Sequence, residues 1–173
     1  MAFKHSIKMD VSKLMKFKRE LKKLQKTEIE WGWIDGRAYN RSDINCRGGI
    51  PYAMIAIKNE YGGYTKNMKT GSFIYIPPRP YFQQSTSASV SSVIKSSASV
   101  YTLLFTGGDY KAKLKMIGND QVDVLKKTIA KNNLKALHPK TVKIKKSTKQ
   151  LVDTGALVKN ISSKVIYKRA GYE

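Results

Sequence analysis

The sequence predicts a single α+β domain over residues 1–173, in which a small, mostly antiparallel sheet is flanked by an N-terminal helix and two longer central helices, with long basic loops. Three observations favour this class. Apolar residues recur with the periods of both helices and strands along the chain. A length of 173 residues, with 41% hydrophobic and 26% charged content, suits one folded domain with its own core. No apolar run approaches the roughly 20 residues that a membrane helix needs.

The N-terminal segment predicts a helix followed by a strand. A basic amphipathic helix of this kind can bind a membrane surface or a partner, but more often its apolar stripe packs on a sheet. Residues 29–34 then alternate, with Trp31 and Trp33 on one face, which predicts a strand. The helix is indicated by apolar residues that recur every three or four positions between lysines: Val11, Leu14, Phe17, Leu21 and Leu24.

The middle of the chain predicts two short elements between polar loops. Polar, glycine-bearing residues 37–49 predict a long exposed loop or a loose hairpin. A short helix is expected over residues 51–61, where Gly62 stops it. Residues 64–71 are predicted to be a basic, flexible loop, and residues 73–76 a strand that two prolines end.

The second half predicts two consecutive helices and a final strand. Residues 85–99 contain eight serines, yet the apolar residues between them keep helical spacing, and the serines would form a small face for close packing. Two glycines end this helix near residue 107, and Asp109 is placed to cap the next one, which runs to about residue 132. Alternation over residues 161–168 predicts the last strand.

Charge is the extreme feature of the composition. Lys and Arg number 33 against 12 Asp and Glu, and the net charge of +21 predicts salt-sensitive contact with nucleic acid or with an acidic protein face. The simplest alternative is that scattered lysines only keep the surface soluble. Nine lysines and no acidic residue lie from Lys126 to Lys149. We therefore predict a basic arm over about residues 133–150 that becomes ordered against a partner, with a disordered charge run as the alternative.

The stretch from Leu151 to Gly155 is a candidate for catalysis. Asp153-Thr154-Gly155 after two apolar residues is typical of the catalytic turn of retroviral-type aspartic proteases, where two carboxylates share one proton. The sequence after Gly155 offers one strand, which is too little for the flap and further strands of such a protease. The same residues also make a good helix start, because Asp153 or Thr154 can accept hydrogen bonds from unpaired backbone N–H groups. We interpret the stretch as a structural turn and keep the protease as a remote alternative.

Other catalytic and metal-binding patterns are absent from the sequence. Cys46 cannot form an internal disulfide, and the two histidines, His5 and His138, form no cluster at metal-ligand spacing. There is no Walker-type phosphate loop and no Gly-x-Ser-x-Gly elbow. We therefore expect no enzyme activity, no cofactor and no metal. The first ten residues lack the apolar stretch of a signal peptide, so synthesis in a cytoplasm is expected.

Several motifs follow one another in a distinctive order. The segment Ala53-Met54-Ile55-Ala56-Ile57-Lys58-Asn59-Glu60-Tyr61-Gly62 has the pattern Ala-x-x-Ala-x-x-Asn-Glu-aromatic-Gly, and Ile76-Pro77-Pro78-Arg79-Pro80-Tyr81-Phe82 follows it. A basic first helix and a Trp31-Gly32-Trp33 strand come before them. Ile117-Gly118, residues 137–146 and residues 151–157 come after. Over about residues 13–167 this order resembles the tail-completion, or neck, proteins of tailed bacteriophages, also called head-tail joining or virion-morphogenesis proteins.

The resemblance implies a structural virion protein that forms part of the ring-shaped neck, or connector, between the DNA-filled head and the tail. It implies contacts with other copies of the chain in a ring of six or twelve, with the portal-side adaptor, with tail terminator or tail tube proteins, and with viral double-stranded DNA in the channel. The protein would be assembled in the host bacterial cytoplasm and located in the virion, with no membrane contact. The alternative function is a non-specific DNA-binding module, because lysines interleaved with tyrosines can pair phosphates and stack bases.

Within this interpretation, six basic residues are candidates for an assembly interface or the DNA channel: Arg79, Lys140, Lys143, Lys145, Lys146 and Lys149. We hypothesise that the five lysines face the channel or a neighbouring ring. Arg79 stands between prolines and is therefore presented rigidly, so we predict an inter-subunit or buried ion pair for it. Asp153→Asn keeps a hydrogen-bond acceptor at the turn and is expected to be tolerated far better than Asp153→Ala.

Overall fold

A computed structural model describes residues 11–39, 49–66, 70–131, 134–145, 148 and 155–168. Within these ranges the chain combines six helices with antiparallel strand pairs, which confirms the predicted α+β class. The helices are α1 (Val11–Gln25), α2 (Tyr52–Tyr61), α3 (Tyr81–Thr106), α4 (Tyr110–Ala130), α5 (Pro139–Lys145) and α6 (Ala156–Lys159). The strands are β1 (Thr27–Gly32), β2 (Ala38–Tyr39), β3 (Ile50–Pro51), β4 (Gly63–Lys66), β5 (Phe73–Ile76) and β6 (Ser162–Tyr167).

The described strands form three two-stranded antiparallel sheets, β1–β6, β2–β3 and β4–β5. The β1–β6 sheet joins the two ends of the described chain, with Thr27 opposite Tyr167 and Gly32 opposite Ser162. The β4–β5 sheet is a hairpin in which Tyr64 lies opposite Tyr75. The predicted helix over residues 11–26 and the predicted strands over residues 29–34, 73–76 and 161–168 are found close to their expected bounds.

The long helices α3 and α4 pack side by side and form the centre of the molecule. Gly107 ends α3 with a φ of 77°, and the carboxylate of Asp109 accepts hydrogen bonds from the backbone N–H groups of Lys111 and Ala112 at 3.1 and 3.0 Å, which confirms the predicted cap. Where the serine-rich face of α3 meets α4, Ser89 Oγ donates to Gln121 Oε1 at 2.6 Å in a buried hydrogen bond.

The β1–β6 sheet packs directly on α4, and Gly118 makes this close approach possible. A Cβ at Gly118 would lie 3.0 Å from the Cβ and Oγ of Ser163 and 3.2 Å from Cγ2 of Ile29. A larger side chain would push the sheet away from the helix. The glycine inside α4 is therefore explained by packing, although glycine lowers intrinsic helix propensity.

Two hydrophobic clusters form the core. The apolar stripe of α1 packs against the second of them through Phe17, Leu21 and Leu24, while the start of α1 leaves Leu14 and Met15 exposed. The first cluster contains Tyr52, Ala56, Tyr81, Val122, Leu125, Ile129, Leu157 and Ile161. The second contains Val100, Leu104, Tyr110, Leu114 and Ile117.

Two predicted loops contain regular structure instead. The prediction of a flexible loop over residues 64–71 is wrong for its first part, because β4 occupies Gly63–Lys66 and pairs with β5. The predicted basic arm over residues 133–150 contains α5, a helix of seven residues. At residues 37–49 the β2–β3 pair closes the base of a hairpin, which was one of the two expected outcomes, and residues 40–48 lie outside the described ranges.

Candidate assembly surfaces

Arg79 lies in the proline-rich segment between β5 and α3, and its side chain is buried, with 5% of its surface exposed. Its Nε donates to the carbonyl oxygen of Lys135 at 3.0 Å, and its Nη1 lies 3.5 Å from Oδ1 of Asn59. Its backbone N–H donates to the carbonyl oxygens of Asn59 and Glu60 at 2.9 and 3.2 Å. The residue therefore joins α2, the start of α3 and the segment before α5.

The predicted ion pair of Arg79 is not found among the described residues. The oxygens that its guanidinium contacts there, the carbonyl oxygen of Lys135 and Oδ1 of Asn59, are both neutral. The carboxylate of Glu60 instead accepts hydrogen bonds from the backbone N–H groups of Phe82 and Gln83, at 2.8 and 3.0 Å, in the first turn of α3. Burial lowers the pKa of Arg79 from its ordinary value, and charge-assisted hydrogen bonds offset the loss of hydration. An inter-subunit contact of Arg79 stays a prediction.

The two main sequence motifs, residues 53–62 and 76–82, meet around Arg79. The hydroxyl of Tyr81 donates to the carbonyl oxygen of Ala56 at 2.8 Å, and its burial near Glu60 raises the pKa of Tyr81 well above its ordinary value. Gly62 has a φ of 71°, and a Cβ there would lie 2.6 Å from the carbonyl oxygen of Ile76. Each of these contacts joins one motif to the other.

The tryptophan-bearing strand joins the same unit. The ring of Trp31 stacks on Phe82 with centroids 4.5 Å apart, and Trp33 Nε1 donates to the carbonyl oxygen of Leu157 at 2.7 Å. Leu157 belongs to α6, which begins directly after Gly155, a residue with a φ of 75°. Asp153 and Thr154 lie outside the described residues, so their predicted capping role stays a prediction.

The candidate lysines are partly placed by the structure. Lys140, Lys143 and Lys145 belong to α5, and Lys143 is exposed, whereas Lys146 and Lys149 lie outside the described residues. Arg79 binds the backbone of Lys135 just before α5, so one candidate anchors the segment that leads to the others. No sequence pattern indicated this link, because the two residues are 56 positions apart.

Sequence reasoning missed a surface of exposed apolar side chains. Met54, Ile57 and Tyr61 on α2 and Tyr64 on β4 are between 60% and 78% exposed. Met54, Tyr61 and Tyr64 line a groove of about 750 Å³ between α2 and the β4–β5 hairpin. A soluble monomer rarely exposes apolar groups in such a contiguous patch. The signal in the sequence was the spacing of residues 54, 57 and 61, which lie on one face of a helix whose other face is already used by Tyr52 and Ala56.

The described residues provide no group of three or more His, Cys, Asp or Glu that could hold a metal ion. Among the helices in these ranges, none has the length and apolar character needed to cross a membrane. None of the protein-family models, curated proteins or solved structures compared with this chain matches it.

Proposed function

We propose that this chain is a structural virion protein of a tailed bacteriophage and forms part of the ring-shaped neck that joins the DNA-filled head to the tail. The main support is that the motifs resembling the neck family contact one another in the fold. Residues 53–62 and 76–82 interlock through Gly62, Glu60 and Arg79. The β4–β5 hairpin, in which Gly63 lies opposite Ile76, brings the two motifs together, and the hydrogen bonds of Glu60 and Arg79 then join them, as expected of motifs that define one fold.

The proposed role is mechanical. Copies of the chain close into a ring through a head-to-tail contact, which requires two different patches on each copy. The exposed apolar side chains on α2 and the β4–β5 hairpin supply area for such contacts. Neighbours in the particle are the portal-side adaptor and the tail terminator or tail tube proteins, and viral double-stranded DNA passes through the channel. Assembly takes place in the host bacterial cytoplasm, and neither enzyme activity nor a cofactor is required.

The ring can be tested with the purified full-length chain. We expect closed rings in negative-stain images and a mass of six or twelve copies in solution, at moderate salt and rising protein concentration. A chain that stays monomeric at every concentration would contradict the ring. The measurement should be repeated with and without duplex DNA, since DNA-driven clustering would give irregular aggregates rather than one defined mass.

The alternative function, a non-specific DNA-binding module, is favoured by the net charge of +21 and by lysines interleaved with tyrosines. It predicts a monomer that binds duplex DNA without sequence preference and with a steep loss of affinity as salt increases. The aspartic protease is a remote further alternative. It predicts that Asp153→Asn abolishes proteolysis, whereas a capping residue tolerates this change.

A further inference from the structure

The β1–β6 sheet packs along α4 but contacts α3 near its start, where Trp31 stacks on Phe82. It packs on α4 at Gly118, whereas Val90 and Ile94 on the neighbouring α3 are 47% and 63% exposed. Neighbouring strands lie about 4.8 Å apart and packed helices about 8–10 Å apart, so two strands match the width of one helix and four strands match two helices. The sheet layer therefore has room for two more strands beside β1, above α3.

This place is a groove of about 300 Å³. No described strand pairs with β1 on that side, so the edge of β1 offers its backbone N–H and C=O groups to a further strand. The groove lies between β1, which contributes Ile29 and Trp31, and α3, which contributes Val90, Val93 and Ile94. Ile117 and Gln121 of α4 also line it.

The β4–β5 hairpin has the shape and chemistry that fit this groove. It consists of two antiparallel strands, and Tyr64, Phe73 and Tyr75 lie on one face by their register, all more than half exposed. The rings of Tyr64 and Tyr75 lie 5.3 Å apart and form an aromatic surface, with Lys66 at the end of the same face. An apolar hairpin that its own chain leaves uncovered and an apolar groove with a free strand edge are complementary surfaces.

We propose that the β4–β5 hairpin of one copy of this chain docks in the groove of the next copy, where β5 adds to the free edge of β1 and the aromatic face of the hairpin covers Val90 and Ile94. The contact is head-to-tail, because hairpin and groove are different patches of one surface, and such contacts can close into a ring. The inference rests on the ring of the proposed function, and it names the two patches that would form it.

The hairpin offers a substantial part of the apolar area that a stable contact needs. An aromatic side chain buries about 150–250 Å², so the three exposed rings of the hairpin offer together roughly 400 Å². This is about half of the roughly 800 Å² that each partner contributes to a standard interface. The backbone of the added strand supplies further area, whereas Ile74 lies on the other face of the hairpin and stays outside this contact.

Charge favours this contact over others between two copies. With a net charge of +21, most surfaces of two copies repel each other. The strand β1 is an exception, because Glu28 and Glu30 are exposed on it. Glu28 pairs with Lys168 of its own chain, and Glu30 lies opposite Lys164 on β6, with no ion pair to it among the described residues. These carboxylates lie on the outward face of β1, and they reduce the repulsion that the hairpin of the next copy, with its exposed Lys66, meets at this edge.

Disulfide cross-linking tests the geometry. In a Cys46→Ser background, one preparation carries Phe73→Cys and a second carries Ile94→Cys. Oxidation of the mixture is expected to give a covalent dimer containing one chain of each kind, whereas either preparation alone gives at most traces. A dimer formed by Ile94→Cys alone would instead indicate a symmetric contact between two α3 faces and would overturn the proposal.

Substitutions test the energetics in the full-length chain. Ile94→Glu and Phe73→Ser are each expected to weaken self-association at least tenfold in sedimentation or light-scattering measurements. Met116→Ser is the matched control, because Met116 is an exposed apolar residue of α4 that lines neither surface. Unchanged circular dichroism and urea unfolding of the variants will show that the fold is kept.

The outcomes separate this inference from the proposed function. Rings that persist in both variants, with no cross-link between positions 73 and 94, would overturn the hairpin contact and leave the neck role standing. A wild-type chain that does not associate, together with no cross-link between cysteines at positions 73 and 94, would overturn both. Cross-linking together with loss of association in the two variants, but not in Met116→Ser, would support the proposal.

Discussion

Gly62 stands where α2 turns into β4, in a backbone conformation that is nearly exclusive to glycine. Its φ and ψ are 71° and −156°, and an added Cβ would lie 2.6 Å from the carbonyl oxygen of Ile76 and 2.7 Å from the nitrogen of Pro78. Both contacts are with backbone atoms, which cannot rotate away. We expect Gly62→Ala to lower the free energy of unfolding by more than about 3 kcal/mol, since backbone strain and steric overlap add.

The matched control for Gly62→Ala is Gly36→Ala. Gly36 also has a positive φ, 63°, but an added Cβ would meet nothing within 4 Å. Gly36→Ala is expected to lower the free energy of unfolding by about 1 kcal/mol, from backbone strain alone. Urea denaturation of both variants measures the difference, and equal losses would contradict the tight junction between the two motifs.

Arg79 contributes to stability in a different way, because its charged guanidinium is buried and donates hydrogen bonds to neutral oxygens. We expect Arg79→Ala to lower the free energy of unfolding by about 2–4 kcal/mol, since it leaves the Lys135 carbonyl unsatisfied and opens a void in a buried site. Arg37→Ala, which removes an exposed arginine bound to Asn160 Oδ1 at 3.2 Å, is the control and should cost less than about 1 kcal/mol. If Arg79→Ala changed neither stability nor ring formation, its predicted structural and assembly roles would both be wrong.

Among the helices, α1 and α4 are connected by a hydrogen bond from the hydroxyl of Tyr110 to Oε2 of Glu20, at 2.8 Å. Hydrogen bonds from Lys23 and Tyr110 lower the pKa of Glu20 below its ordinary value. Loss of hydration and the bond to Glu20 raise the pKa of Tyr110 to about 12. The contribution of Glu20 to the free energy of unfolding is therefore fully present at pH values above its unfolded pKa. It is lost as the pH falls through the lower pKa that Glu20 has in the folded protein. The stability from Tyr110 is present below about pH 10 and lost as pH rises towards 12.

Tyr110→Phe tests this connection. At pH 7 the variant is expected to be less stable by about 1 kcal/mol, the net value of one hydrogen bond. The difference from the wild type should shrink as the pH falls through the lowered folded pKa of Glu20, because a protonated carboxyl gains less from this bond. Tyr101→Phe changes an exposed tyrosine of α3 and should show no such pH dependence. A difference between Tyr110→Phe and the wild type that stays constant during acidification until the fold is lost would contradict the assigned pKa shift of Glu20.

The sequence predicted the elements whose periodic pattern is long or whose ends are marked by a cap. The predicted elements of this kind are α1, α3, α4, β1 and β6, because each has several helical turns or several alternating residues. It failed for β4, because four residues with one lysine and one glycine carry almost no pattern. The strand forms because Tyr64 and Lys66 find partners on β5, and such pairing is decided by tertiary context.

The candidate site was predictable only in part, because local sequence patterns can single out a residue but not its distant partners. The proline-bracketed Arg79 and the glutamate of the first motif could be singled out from local sequence. Their partners could not, since Arg79 binds a carbonyl 56 residues away and Glu60 caps a helix 22 residues away. The exposed hairpin was missed because a strand of four apolar residues looks the same in sequence whether its faces are covered or free.

Across the whole molecule, the described acidic side chains are used mainly inside the fold. Glu20 binds Lys23 and Tyr110, Asp35 accepts a hydrogen bond from Ser162, and Glu60 and Asp109 bind the first turns of α3 and α4. With 12 acidic residues against 33 basic ones, the chain keeps a net charge of +21. The positive field is therefore directed outwards, towards phosphates or the acids of a neighbour.

The hypothesis that the basic arm faces the channel or a neighbouring ring can be tested by reversing the same number of lysines at two different places in the chain. Reversing Lys140, Lys143 and Lys145 to glutamate removes three cations from α5, whereas reversing Lys16, Lys18 and Lys22 removes as many from exposed positions of α1. The two variants have equal net charge, so a general electrostatic effect would impair them equally.

If α5 faces phosphate or an acidic neighbour, its reversal brings like charges together, and assembly into DNA-filled particles should fall at least tenfold, while the α1 variant assembles far better. Electron microscopy of particles formed in the host counts the filled heads with attached tails. A monomeric DNA-binding protein would behave differently, because its salt slope falls by about 0.9 for each phosphate contact that is lost, wherever the lysine stands. Normal assembly of the α5 variant, or equal defects in both variants, would show that the arm does not have the proposed position.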